Sequence, residues 1–267
     1  MKEPLEPLEA IRRKRGFICD MDGVLYHGND LLPGTKRFVD WLHRENKNFL
    51  FLTNSSQRSP KELRQKLQRM GLDVEERHFY TSALSTAEFL RNQEPGCSVY
   101  CIGEAGLHNA LYEAGISMND VDPDYVVVGE TENYNYQSIA KAVLLIQAGA
   151  RLICTNPDLT GPGDGGVMIP ACRALVSPIE LSTGRSAYFL GKPNPLMMRT
   201  GIRLLDCDPA DAAIVGDRMD TDIVAGIESE IDTVLVLTGV STRDTVRRFP
   251  YRPRYIIDSV GDIPSDE

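Results

Sequence analysis

Apolar residues in this chain fall into short runs separated by longer stretches of helical periodicity. The first run, "GFICD" at 16–20, predicts a short buried strand that opens into a loop carrying Gly23, Gly28 and Gly34. Residues 35–45 then place Phe38, Trp41 and Leu42 on one face, which predicts a helix. "NFLFLTN" at 48–54 is almost continuously apolar and bounded by polar residues. That pattern predicts a central parallel strand covered on both faces. The next helix has the clearest signals. Ser59 suits the N-cap, Pro60 the first turn, and Glu62 completes a capping box. Leu63, Leu67 and Met70 form its stripe, and Gly71 is placed to end it.

The alternation continues to the C-terminus. "CSVYCIG" precedes a helix over about 105–114, and "DYVVVGE" precedes the helical "YNYQSIAKAVLLIQAG". "RLICTN" leads into the Gly/Pro-rich "PDLTGPGDGGVMIP", whose "GPGDGG" reads as a flexible loop, and then a helix over 172–183. Helices over 195–205 and 220–228 flank the strand "AAIVGD", with "TVLVLTG" and "RYIID" as the last strands. Strands alternating with helices throughout predict an α/β architecture with parallel sheets. No repeat of 20–50 residues suggests a solenoid. No low-complexity linker occurs either, so a second domain would be an insertion entered and left by the chain.

Composition narrows the partners. The 267 residues carry a formal net charge of -9, which disfavours non-specific nucleic-acid binding but leaves room for a local cation cluster and a small anionic substrate. No window approaches 18 consecutive apolar residues, so no transmembrane helix is expected. The N-terminal stretch lacks the apolar core of a secretory signal, and Arg12, Arg13, Lys14 and Arg15 read as a solvated lead-in to the first strand. Six cysteines contain no C-x-x-C pair and mostly sit in apolar runs, which points to a reduced, cytoplasmic protein without a zinc site. Cys19, beside Asp20, faces away from it by strand alternation. Trp41 reads as core and His27 as a solvated loop residue.

In an open parallel sheet, ligands bind beyond the carboxyl ends of the strands. Strand one ends in Asp20 and Asp22, "FLFL" in Thr53 and Asn54, and "AAIVG" in Asp217, with Asp220 and Asp222 beyond it. "YFLGKP" leads into Lys192. Asp20 and Asp217, with a backbone carbonyl near Asp22, would offer hard oxygen ligands to Mg²⁺. Lys192 adds a second cation, and Thr53 and Asn54 supply neutral donors for phosphate oxygens. Asp20 is then the candidate nucleophile and Asp22 the candidate acid/base. Asn156 and Asp158, in "TNPD", either contact the substrate or form an Asn-Pro-Asp turn.

"DMDGVLY", "LTNSS", "GKPNPLM" and "GDRMDTDIVAG" occur in the order of the four motifs of the haloacid dehalogenase superfamily of phosphohydrolases, which this chain resembles along nearly its whole length. The resemblance implies a Rossmann-like parallel-sheet core, Mg²⁺ dependence and phosphoryl transfer through an aspartyl-phosphate. On the matching positions, Asp20 resembles the nucleophile, Asp22 the general acid/base, Thr53 the phosphate-binding threonine, and Lys192 the motif-three lysine. Asp217 and Asp222 resemble the two motif-four acids of the metal site, with Asp220 unassigned. "TNPD" and "GDRMDTDI" resemble the NagD-type subgroup, whose cap lies between motifs two and three. The resemblance then implies a core of residues 1–82 and 188–267, and an inserted α/β cap of residues 83–187 that closes over the site, with a cap-mediated homodimer. The function so implied is a Mg²⁺-dependent phosphatase of small phosphomonoesters, nucleoside monophosphates or sugar phosphates. A phosphorylated vitamin or a phosphoglycolate-like acid is the alternative substrate, and a non-catalytic ligand-binding protein the alternative class.

Overall fold

The structure, a computed structural model, describes residues 6–163 and 167–265. Half of the "GPGDGG" stretch, residues 164–166, therefore lies outside the described residues, as do residues 1–5. In chain order the elements are α1 (Pro7–Arg12), β1 (Gly16–Cys19), a small hairpin of β2 (Tyr26–His27) and β3 (Asp30–Leu31), α2 (Thr35–Arg44), β4 (Asn48–Thr53), α3 (Pro60–Arg69), β5 (Phe79–Thr81) and α4 (Ser82–Gln93). Then come β6 (Ser98–Ile102), α5 (Ala105–Glu113), β7 (Ser117–Met118), β8 (Tyr125–Val128), α6 (Tyr136–Ala148) and β9 (Arg151–Cys154). A second hairpin of β10 (Thr160–Pro162) and β11 (Met168–Pro170) precedes α7 (Cys172–Thr183), β12 (Tyr188–Phe189) and α8 (Pro195–Leu205). The chain ends with β13 (Ala212–Gly216), α9 (Val224–Glu228), β14 (Asp232–Val236), α10 (Arg243–Val246) and β15 (Tyr255–Ile257).

The chain divides into two compact units. The first comprises Met1–Leu52, Lys66–Phe79 and Met198–Glu267, the second Thr53–Gln65 and Tyr80–Met197. The main sheet has the strand order β15-β14-β13-β1-β4-β5. β1 pairs in parallel with β13 on one side and β4 on the other, with Gly16 opposite both Ala212 and Asn48. Every residue of β1 and β13 is buried, as a strand covered on both faces requires. Phe17 of β1 meets the Trp41 ring of α2 edge-on at 5.6 Å, and Trp41 stacks on Phe38 at 6.1 Å. Trp41 is thus core, as its place on the helix stripe implies.

The second unit contains a five-stranded sheet, β12-β9-β8-β6-β7, whose paired strands are all parallel. Its alternate residues feed two cores. Val127 and Ile153 pack with Leu107 and Leu111 of α5, whereas Val126, Val128 and Leu152 pack with Leu145 and Ile146 of α6 and Val176 and Ile179 of α7. The architecture is therefore α/β, with a Rossmann-like parallel core sheet and a second, smaller α/β sheet.

Of the basic run 12–15, Arg13 and Arg15 are exposed as expected, but the reading of Arg12 and Lys14 as solvated needs correction. Lys14 pairs with Asp232 at 2.6 Å, with both side chains largely shielded, and donates to the Ala210 carbonyl at 2.7 Å. Arg12 donates to the carbonyls of Ile263 and Pro264. Four basic residues in a row read as a surface run because no local signal identifies partners about two hundred positions downstream. The region 220–228 also differs from one continuous helix: Met219–Ile223 is a π turn, and only Val224–Glu228 is α-helical.

Candidate active site

In the main sheet the chain runs from β1 to β4 on one side and later reaches β13 on the other. The strand order reverses at β1, and the crevice beyond the carboxyl ends of β1 and β13 is where such sheets hold ligands. Asp20 and Asp217 each follow directly on one of these strands, and the Asp20 N–H is donated to the Val215 carbonyl at 2.9 Å. Asp222 comes back to the same place through the π turn. Carboxylate oxygens of Asp20, Asp217 and Asp222 all lie within 4.8 Å of one another, with Asp217 and Asp222 buried and Asp20 half-buried.

The backbone is built around these acids. Asp217 Oδ2 accepts the Val240 N–H at 2.7 Å, and its carbonyl accepts the Ser241 N–H at 3.0 Å. A Cβ at Gly239 would stand 2.0 Å from Asp217 Oδ2, so only glycine lets that loop approach. Asp222 Oδ2 accepts the Arg218 N–H at 3.1 Å, and a Cβ at Gly216 would stand 2.2 Å from the Asp222 Cβ. Asp222 is thereby pinned against the last residue of β13. Asp220 instead takes both arms of the Arg218 guanidinium, at 3.1 and 3.0 Å, on the exposed side of the turn.

Asp22 is half-buried and lies outside the three-carboxylate cluster of the described residues. It sits in a turn closed by Gly23 N–H to Tyr26 O at 2.9 Å. The Thr238 hydroxyl donates to the Gly23 carbonyl at 2.6 Å, and exposed His27 Nε2 lies 2.7 Å from the Thr238 carbonyl. The loop that carries Asp22 is thus tied to the loop after β14 rather than left to solvent.

Within the second unit, Thr53, Asn54, Asn156, Asp158 and Lys192 form one hydrogen-bonded group. Asn54 Oδ1 accepts the Lys192 N–H at 2.6 Å, and Asn54 Nδ2 donates to the Lys192 carbonyl at 3.0 Å and to Asp158 Oδ2 at 3.1 Å. Both amide hydrogens of Asn54 are committed to protein acceptors, so it clamps the lysine loop. Lys192 is itself almost wholly buried, at 1% exposure. Asn156 is fully buried; its Oδ1 accepts the Asp158 N–H at 3.1 Å, the bond of an Asx turn, and its Nδ2 reaches the Asn54 carbonyl at 2.7 Å. Of the two readings of "TNPD", the turn is what these bonds display. Thr53 Oγ1 accepts the Ser55 N–H at 3.1 Å.

One member of this group was not singled out from the sequence. Glu130, just after β8, accepts from Asn156 Nδ2 at 3.3 Å and from the Ser56 N–H at 2.7 Å. Burial pushes its carboxyl above the usual carboxylate range, the Ser56 N–H draws it back, and the charge of Asp158 raises it further. The signal was available: like Asp20, Glu130 is an acid at the carboxyl end of a wholly buried strand.

Comparison with known proteins identifies the family of the chain. Residues 17–117 match the family described as haloacid dehalogenase-like hydrolase, and residues 189–263 match a second model for HAD-like hydrolases. The chain is 41% identical to a dihydroxyacetone phosphatase of Corynebacterium glutamicum, over 92% of this chain and 90% of that protein. It is also 41% identical to the ribonucleotide monophosphatase NagD of Escherichia coli, over 93% and 98% of the two chains. The solved structure of Escherichia coli NagD superposes with a TM-score of 0.87 at 40% identity, covering 94% of this chain and 98% of that one. The chain belongs to the haloacid dehalogenase-like hydrolases, and it falls among the phosphatases of that family.

Proposed function

We propose that this chain is a Mg²⁺-dependent phosphatase of small phosphomonoesters that works through an aspartyl-phosphate on Asp20. The observation that carries the reading is the cluster of Asp20, Asp217 and Asp222 carboxylates within 4.8 Å of one another. Three like charges at that distance, two of them buried, favour a cation among them. An all-carboxylate donor set suits a hard, oxygen-seeking ion such as Mg²⁺, whereas zinc sites usually draw on imidazole or thiolate. When bound, Mg²⁺ supplies charge neutralisation for the phosphoryl group.

The chain's own residues carry the steps. An Asp20 carboxylate oxygen attacks phosphorus, and the bond from phosphorus to the leaving oxygen breaks. Asp22 gives its proton to that oxygen, then takes one from the water that attacks the aspartyl-phosphate, releasing inorganic phosphate and restoring Asp20. Thr53 and Lys192 bind phosphate oxygens. The Asn54 side chain acts by holding Lys192 in place. Residues 83–187 form the cap that selects the leaving group. The names of the two relatives support a small substrate, a ribonucleotide in one and a three-carbon phosphate in the other. The family and the free cysteines support a cytoplasmic protein.

The test is a panel of nucleoside monophosphates, sugar phosphates, dihydroxyacetone phosphate, phosphoglycolate, pyridoxal phosphate and 4-nitrophenyl phosphate, assayed with Mg²⁺. Turnover of at least one member, abolished by chelator and by Asp20→Asn, is the expected result. An inert wild-type protein would favour the ligand-binding alternative. Full activity in Asp20→Asn would refute the nucleophile.

A further inference from the structure

Glu130 is tied to the loop after β4 more fully than a surface carboxylate needs to be. Its Oε2 accepts from the Ser56 N–H at 2.7 Å, the Ser56 hydroxyl at 3.2 Å and the Ser55 hydroxyl at 3.2 Å, while its own N–H is donated to Ser56 Oγ at 3.2 Å. Its Oε1 accepts from Asn156 Nδ2 at 3.3 Å. Ser56 and Asn156 are both fully buried. A Cβ on the preceding Gly129 would stand 2.9 Å from Ser56 Oγ, so the strand end is shaped to let these loops meet. A carboxylate is costly to bury, and this one is placed where four donors converge.

Two bonded paths leave Glu130. One runs through Ser55, whose N–H is donated to Thr53 Oγ1 at 3.1 Å. With that oxygen lone pair engaged, the threonine hydroxyl is oriented to give its proton to another acceptor. The other path runs through Asn156 to the Asn54 carbonyl at 2.7 Å, and from the Asn54 side chain to the backbone of Lys192 at 2.6 and 3.0 Å. Both paths therefore end on residues assigned to phosphate oxygens, while Glu130, an anion, is unsuited to bind phosphate itself.

We infer that Glu130 is a positioning residue for phosphate binding, fixing the Thr53 hydroxyl through Ser55 and Ser56 and the Lys192 backbone through Asn156 and Asn54. The inference rests on the phosphatase reading above. It gives the insert a part in the chemistry common to every substrate, in addition to any choice among leaving groups. Thr53 and Lys192 hold the phosphoryl group in substrate, intermediate and product alike, so misplacing them weakens binding throughout the cycle and appears in KM more than in kcat.

The experiment compares the full-length wild type, Glu130→Gln and Thr53→Val on 4-nitrophenyl phosphate, with inorganic phosphate as inhibitor. Glu130→Gln should raise both KM and the phosphate inhibition constant by about tenfold, with kcat within about threefold of wild type. The same substitution made in the Thr53→Val background should add a smaller factor, because part of its effect passes through that hydroxyl. Ser56→Ala, which keeps the backbone N–H and loses the hydroxyl bonds, should shift both constants in the same direction and serves if Glu130→Gln does not fold. Unchanged KM and phosphate inhibition in folded variants would overturn the inference while leaving the phosphatase reading intact. Persistence of the full factor in the Thr53→Val background would overturn it as well. An inert wild type would overturn both.

Discussion

Asp217 receives a backbone N–H from Val240, packs under Gly239 and holds its position with its own carbonyl bonded to Ser241. Such a carboxylate cannot swing away from its neighbours, which is what a metal ligand needs. Asp217→Asn keeps the shape and removes one charge from the cluster. The concentration of Mg²⁺ giving half-maximal activity should rise by about ten- to a hundredfold, the range for losing support at a metal site. A Mg²⁺ titration of phosphatase activity checks this, and an unchanged midpoint would remove Asp217 from the ligand set. At this scale the sequence was informative wherever an acid followed a buried strand, because few other positions tolerate one. It was less informative about amides. Asn54, an asparagine at a strand end, has two side-chain hydrogens to give. Only the positions of Asp158 and Lys192, more than a hundred residues away, decide where those hydrogens go.

At the level of elements, local chemistry and tertiary demand can be separated. α3 begins where its sequence says it should: the Ser59 N–H and hydroxyl are donated to Glu62 Oε2 at 2.8 and 2.7 Å, and the Glu62 N–H returns to Ser59 Oγ at 3.4 Å. Those bonds hold the Glu62 carboxyl below its usual range, so the cap contributes above that range and is lost as the group is protonated. Ser59→Ala should cost about 1 kcal/mol of stability at neutral pH, read in a urea melt, with kcat/KM within about twofold of wild type. A loss of activity without loss of stability would show a role beyond capping. The π turn Met219–Ile223 is the opposite case. Its wide bond from the Ile223 N–H to the Arg218 carbonyl, at 3.1 Å, has no compositional signal. The stretch reads as ordinary helix, and the turn exists because Asp222 has to come back onto Gly216. The two short hairpins escaped notice for a related reason: strands of two or three residues are too short for any periodicity to show.

For the molecule as a whole, Glu130 links function to stability. Its carboxyl titrates higher in the fold than in the unfolded chain, so the folded state binds more protons between those two values. Stability attributable to this group is therefore fully present below the ordinary carboxylate range and is lost as pH rises through the folded value. The charged or titratable groups around it are Asp158, which raises it further, and Cys172, whose thiol burial pushes well up. Glu130→Gln removes this titration and leaves the others in place. The melting temperature of wild type minus that of Glu130→Gln should grow as pH falls from about 8 toward about 5. A difference that stays flat over that interval would mean that Glu130 titrates normally, and one that shrinks would mean that its carboxyl is held below the usual range.

The pairing of β1 with β13, Gly16 against Ala212, sets the order in which the protein can be made. A ribosome adding about 5–20 residues per second needs roughly 10–40 s to travel from one strand to the other. Throughout that interval β1, one of the most apolar segments of the chain, lacks the neighbour that closes its outer side. The segment Tyr80–Met197 emerges in the meantime, bringing with it every strand of the second sheet. Asp20 is synthesised well before Asp217 and Asp222, which follow about two hundred residues later, so the three carboxylates meet only once that length of chain has been added. Truncated products of interrupted translation should therefore carry Asp20 without the other two carboxylates of its cluster.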